Sequence, residues 1–154
     1  GGVHLVKSAD DAATIAGRML GANLTTKQTP PGGVPVRKVM LCESLDFERE
    51  LYFAILLDRA SGGPAFVASP MGGMDIEAVA EEHPDAIFTV PISIHTGPTD
   101  AQTKELAEKL GFKGDLVKKA QTQMQNLYTL FRSSDATQVE INPLVEAAGD
   151  VYCV

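Results

Sequence analysis

Cysteine is nearly absent from this 154-residue chain, histidine is sparse, and basic side chains are outnumbered. Two cysteines, Cys42 and Cys153, are too few for the disulfide framework of a small secreted domain and point to a reducing interior. The three histidines, His4, His83 and His95, lack ligand spacing such as H-x-x-x-H, so no histidine metal centre is expected. Lys and Arg number 13 against 20 Asp and Glu, and the net charge of −7 argues against a general nucleic-acid surface. No apolar run is long enough to cross a bilayer. No signal or transit peptide is visible, and the first residues read as mid-domain sequence, so any targeting segment is expected to have preceded them. The glycine pair in Met71-Gly72-Gly73-Met74 lacks both the Gly-Lys-Ser/Thr ending of a phosphate loop and the G-x-G-x-x-G spacing, which makes it a weak phosphate-loop signal.

What is present reads as an α+β chain holding one ordinary domain or two small subdomains. Val3–Val6 is a short extended piece. Ser8 caps a helix with Asp10 and Asp11 in its first turn, apolar Ala12, Ile15, Ala16, Met19 and Leu20 on one side, and a stop at Gly21. Strands are expected over Leu24–Gln28 and Val36–Cys42, separated by Pro30-Pro31-Gly32-Gly33. Leu51–Leu57 is nearly continuous apolar sequence, fitting a central strand that pairs with Ala65–Ser69 across a turn. A helix runs through Ile76, Val79 and Ala80, with Glu77, Glu81, Glu82 and Asp85 as its solvated side. Ile87–Ile94, with Pro91 inside it, is an edge strand or extended connection. Two helices follow, over Thr99–Leu110 and Asp115–Arg132, the second with Leu116, Val117, Ala120, Met124, Leu127, Tyr128 and Phe131 as its inner stripe.

The chain is organised around Asp135–Glu146 and the segment that returns after it. Alternation there marks a strand with two chemically different faces, Val139, Ile141 and Val145 on one and Glu140 and Asn142 on the other. Gly149-Asp150 supplies turn chemistry, and Val151–Val154 returns as the second strand of a hairpin. With the turn near Ala148-Gly149, the position opposite Asn142 falls just beyond Val154. A carboxylate beside a carboxamide makes an oxygen-rich corner suited to Mg²⁺, which takes few protein ligands beside nucleotide phosphates. On spacing alone, a solvated hairpin face is the simpler account of the same two residues.

The run Val139-Glu140-Ile141-Asn142-Pro143-Leu144-Val145 resembles the E-I-N-P-L motif of ATP-grasp acyl-CoA ligases. Gly1-Gly2-Val3-His4-Leu5-Val6-Lys7 resembles the segment after the glycine-rich phosphate loop of succinyl-CoA synthetase β subunits, and Gly72-Gly73-Met74-Asp75-Ile76-Glu77 resembles their G-G-V-x-I-E run. Along its whole length the chain is similar to that family. The resemblance implies a partial ATP-grasp fold, antiparallel-rich with packed helices. Residues 1–45 would be part of the small lid subdomain, and 46–154 the large subdomain, truncated at its C-terminal end.

The same resemblance implies site residues. Cys42, Glu43 and Leu45 occupy the hinge whose backbone binds the nucleotide base. Many relatives carry glutamate where Cys42 stands, and Cys42 itself is expected to be a buried structural thiol. Glu50 lies at the nucleotide on the ribose side, although from its position alone it reads as a charged residue at a strand's solvent end. Asn142 is a Mg²⁺ ligand, joined by an aspartate expected just after Val154. Glu140 is the catalytic carboxylate, facing a phosphohistidine carried by the α subunit.

Implied in turn are ATP or GTP as substrate, an α-subunit partner, reversible formation of succinyl-CoA, and the mitochondrial matrix, or the cytoplasm of a bacterium. The fragment alone is expected to be inactive, with its succinate and CoA sites elsewhere. The alternatives are another ATP-grasp acyl-CoA ligase, such as malate-CoA ligase or an ATP-citrate lyase-like chain, and a non-catalytic nucleotide-binding or subunit-interaction module.

Overall fold

The structure, a computed structural model, describes residues 2–27 and 29–154. Gly1, which opens the first resemblance segment, and Gln28, the last residue of the strand expected over Leu24–Gln28, lie outside the described residues. The chain divides into two compact units, Gly1–Leu45 and Asp46–Val154.

In the first unit, helix α1 (Ala9–Met19) starts where Ser8 accepts a hydrogen bond from the Asp11 backbone, with Asp10 and Asp11 in the first turn where the helix dipole favours them. Ala12, Ile15, Ala16 and Met19 form its half-buried side. Val3–Val6 forms no strand. Of the two long strands expected next, only Leu24 lies in a strand among the described residues: a two-residue pair forms, β1 (Asn23–Leu24) with β2 (Val34–Pro35), and β2 ends before the expected Val36–Cys42 begins. Local hydrogen bonding stops β1: the Thr26 backbone donates to Thr29 Oγ1 at 3.0 Å, which closes a turn in place of a ladder. Beyond β2, Val36 still bonds Gly21 and Ala22, but residues 37–42 are in no strand.

The second unit is an antiparallel five-stranded sheet in the order β5-β4-β3-β6-β7, with two helices on one face. The strands are β3 (Arg49–Asp58), β4 (Gly63–Ser69), β5 (Phe88–Pro91), β6 (Gln138–Ala147) and β7 (Asp150–Cys153). The apolar run of β3 holds the centre because both its neighbours are paired along most of its length. β5, with its proline, lies at an edge, where the missing N–H costs nothing. Asp58 turns the β3–β4 hairpin by accepting from the Ala60 and Ser61 backbones.

Helix α2 (Ile76–Glu82) and a short 3₁₀ turn (Pro84–Ala86) connect β4 to β5, and α3 (Asp100–Lys109) and α4 (Asp115–Ser133) precede β6. The stripes of these last two helices, Leu106, Ala107 and Leu110 with Ala120, Met124, Leu127, Tyr128 and Phe131, are buried against Leu51, Phe53, Ile55, Phe66, Ala68 and Leu144. Phe53 meets Phe66 edge-on, Phe66 meets Tyr128 likewise, and Tyr128 stacks on Phe131, an aromatic column running from sheet to helix. Among the described residues no helix is long and apolar enough to cross a membrane.

The face pattern of β6 departs from simple alternation. Leu51 pairs with Leu144 but Phe53 pairs with Ile141, so Tyr52 alone stands opposite both Asn142 and Pro143. This is a β-bulge, and the Asn142–Pro143 peptide within it is cis. The extra residue advances the pleat by one position. Val139, Ile141 and Leu144 therefore face the helices, while Val145, expected beside Val139 and Ile141, turns to the opposite face with its partner Glu50.

Candidate functional site

The face of the sheet turned away from α3 and α4 carries the candidate site. Tyr52, Ala54, Ala65 and Val145 are buried on it, whereas Glu50, Glu140 and Asn142 are exposed. Arg49, one residue from Glu50, points the other way. Its guanidinium donates to Glu146 at 2.9 Å and to the Leu110 carbonyl at 3.0 Å, and lies 5.2 Å from the Phe112 ring centroid. This half-buried cation fastens β3 to β6 and to the end of α3.

Asn142 is the best-held side chain of the site. Its Oδ1 accepts from the Gly73 backbone at 2.8 Å and its Nδ2 donates to the Met74 carbonyl at 2.9 Å. Glu50 belongs to the same contact, because its carbonyl accepts from the Gly72 backbone at 3.1 Å and its carboxyl group lies against Gly73. Both glycine N–H groups are thus committed within the protein, and the pair is a bracket across β3 and β6 in place of a phosphate cradle.

Glu140 sits opposite Ala54, diagonal to Tyr52 on the same face. It accepts from Gln138 Nε2 at 3.3 Å. The Tyr52 hydroxyl is pushed up to about 12, first by burial, then by the charge and hydrogen bonding of Glu140, and last by Glu77. Tyr52 and Glu77 are members of the site that sequence reasoning missed. Alternation along β3 places Tyr52 beside Glu50, which was a usable signal, but nothing in the sequence brings α2 and its Glu77 to this face.

The structure therefore brings Glu50, Glu140 and Asn142 together on one face. Cys42, Glu43 and Leu45 belong to the first unit, where Leu45 is half-buried and Glu43 exposed. Cys42 is an exposed free thiol, which corrects the expectation of a buried one. The physical reason is that residues 37–42 form no strand and so gain no neighbour to cover them.

Among the described residues no group of three or more His, Cys, Asp or Glu is placed to hold a metal ion. The neighbouring oxygen donors on β6 are one oriented carboxamide oxygen, of Asn142, and the Glu140 carboxylate. They fit a hard cation bound mainly through phosphate oxygens, since Asn142 Oδ1 keeps one lone pair after serving Gly73.

A mixed fold with an antiparallel sheet, helices on one face and an oxygen-rich bulge on the other defines the class. The ATP-grasp domain family matches residues 1–146, and the chain belongs to that family. More particularly, it is 58% identical over its whole length to the mitochondrial GDP-forming succinate–CoA ligase β subunit of Dictyostelium discoideum and 52% identical to the ADP-forming β subunit of the same organism. The human mitochondrial GDP-forming β subunit is 51% identical over 99% of the chain. The chain spans only 37%, 35% and 36% of those three proteins. Among solved structures, ATP citrate lyase from Methanothrix soehngenii, in complex with citrate and coenzyme A, superposes with a TM-score of 0.63 at 18% identity. That match covers 94% of this chain and 31% of the lyase, and it speaks for the fold alone.

Proposed function

We propose that this chain is the nucleotide-handling part of a succinate–CoA ligase β subunit, which with an α subunit makes succinyl-CoA reversibly from succinate and CoA at the expense of ATP or GTP. The observation that carries this is identity of 58% to a succinate–CoA ligase β subunit over the whole of this chain. The mitochondrial names of the relatives favour the mitochondrial matrix as its place of work.

Residues 1–45 are then part of the lid and 46–154 the large subdomain. Cys42, Glu43 and Leu45 serve the base through their backbone, and Glu50 lies on the ribose side. Asn142 holds Mg²⁺ together with the aspartate expected directly after Val154, a reading supported by the β6–β7 register, in which Val145 pairs with Tyr152 and Leu144 with Cys153. Mg²⁺ when bound neutralises charge on the phosphate oxygens. Glu140 orients the α-subunit histidine and favours its charged form. Tyr52, diagonal to Glu140 and buried, keeps that carboxylate turned to the sheet face.

The test is the full-length β chain reconstituted with its α partner, Mg²⁺ and γ-labelled ATP or GTP, read as acid-labile phosphate on the α chain. Label is expected, and its nucleotide dependence fixes the donor. Two folded, associated subunits without label from either nucleotide would overturn the ligase assignment in favour of a binding module.

A further inference from the structure

We propose, resting on the assignment of Asn142 as a metal ligand, that the turn Gly72-Gly73-Met74 is the positioning element of the site and that position 142 requires a carboxamide. The two hydrogen bonds of Asn142 run in opposite senses, one accepted from Gly73 and one donated to the Met74 carbonyl. Only an amide satisfies both, and together they fix which end carries the oxygen and leave that oxygen one lone pair not used by Gly73. The turn can do this because it is pressed onto β3. A Cβ on Gly72 would come within 2.2 Å of the Leu51 backbone, and a Cβ on Gly73, where φ is +69°, within 2.7 Å of the Glu50 carboxyl group. The bulge then presents Asn142 to the turn, and the two strands and the loop fix one side chain between them.

An aspartate at 142 is the stronger ligand for a hard cation in isolation. Here it would keep the bond from Gly73 but set a second acceptor against the Met74 carbonyl, on a face that already carries Glu50, Glu140 and Glu77. It must rotate away, and the preformed oxygen is lost.

The experiment compares wild type, Asn142→Asp and Gly73→Ala in full-length β chain with its α partner. The first readout is the Mg²⁺ concentration that half-saturates α-chain phosphorylation. Asn142→Asp is expected to raise it about 10-fold or more while the nucleotide KM at saturating Mg²⁺ stays within about twofold, the size of loss typical when a ligand's support is removed. Gly73→Ala is expected to act in the same direction. Equal or tighter use of Mg²⁺ by Asn142→Asp overturns the proposal, and that variant decides the matter if Gly73→Ala fails to fold. The second readout needs no reaction: in ¹⁵N-Asn, ¹⁵N-Gly-labelled full-length β chain, the Asn142 carboxamide protons and the Gly73 amide should both exchange slowly. Exchange at the rate of free amides overturns the role of the turn, even where the wild type phosphorylates normally. If the wild type transfers no phosphate but these protons are protected, it is the ligase assignment that has failed.

Discussion

Tyr52 is a phenol that the fold keeps neutral far above its ordinary range, through burial and the adjacent Glu140. A folded-state value of about 12 against 10.0 in the unfolded chain means that the native protein holds this proton after the unfolded chain has lost it. The associated stability is therefore intact below pH 10 and disappears as the pH rises toward 12, roughly 2–3 kcal/mol in all. Denaturant titrations between pH 9 and 12 should fall more steeply for wild type than for Tyr52→Phe. Parallel curves would show that the hydroxyl is not coupled to its surroundings. A second residue-scale expectation concerns Glu140→Gln, which keeps the shape and removes the charge. Histidine phosphorylation on the α subunit should fall by about 100-fold, within the range general for a positioned charged group, with nucleotide binding nearly unchanged. Equal losses in both would make Glu140 structural only. That Glu140 and Asn142 share a face was legible in the alternation of β6, and the exposure of Glu50 in its place at the strand's solvent end, whereas the influence of Glu77 on Tyr52 was not legible, because it joins segments distant in the chain.

At the scale of elements, the hairpin of β6 and β7 turns at Ala148 and Gly149, both with positive φ, 49° and 71°. That is the backbone of a tight turn matching strand twist, and alanine is a poor occupant of its first place. Ala148→Asn should raise stability by up to about 1 kcal/mol in equilibrium unfolding, and a loss would mean that the turn does not adopt this form. Helix α3 begins with a complete capping box, Thr99 Oγ1 accepting from the Gln102 backbone while the Gln102 side chain accepts from that of Thr99. Thr99→Ala should lower stability by about 1 kcal/mol, with Thr99→Ser close to wild type. Helices α3 and α4 were readable from periodicity, since their apolar stripes are also their buried faces, and the central strand from its nearly continuous apolar run. The strands expected over Leu24–Gln28 and Val36–Cys42 were not realised, because threonine side chains close a turn between residues 26 and 29 and residues 37–42 take up no ladder.

For the whole molecule, the chain covers about a third of the length of the relatives it matches, and the proposed function predicts that residues 1–154 do not suffice for the ligase reaction. Incubated by itself with α subunit, Mg²⁺ and labelled nucleotide, this chain should give no phosphorylated histidine, while the full-length β subunit should. Comparable label from both would mean that residues 1–154 suffice. The sequence by itself determined the family, the helical stripes and the residues of the Glu140–Asn142 motif, because hydrophobic period and local motifs are written in neighbouring positions. Tertiary structure alone decided that a bulge opposite Tyr52 turns Val145 away from the core, that Cys42 is exposed, and that Gly73 and Met74, 69 and 68 residues earlier in the chain, grip Asn142. Register shifts and loop-to-strand hydrogen bonds depend on which segments meet, and pairing between distant segments leaves no periodic trace along the chain.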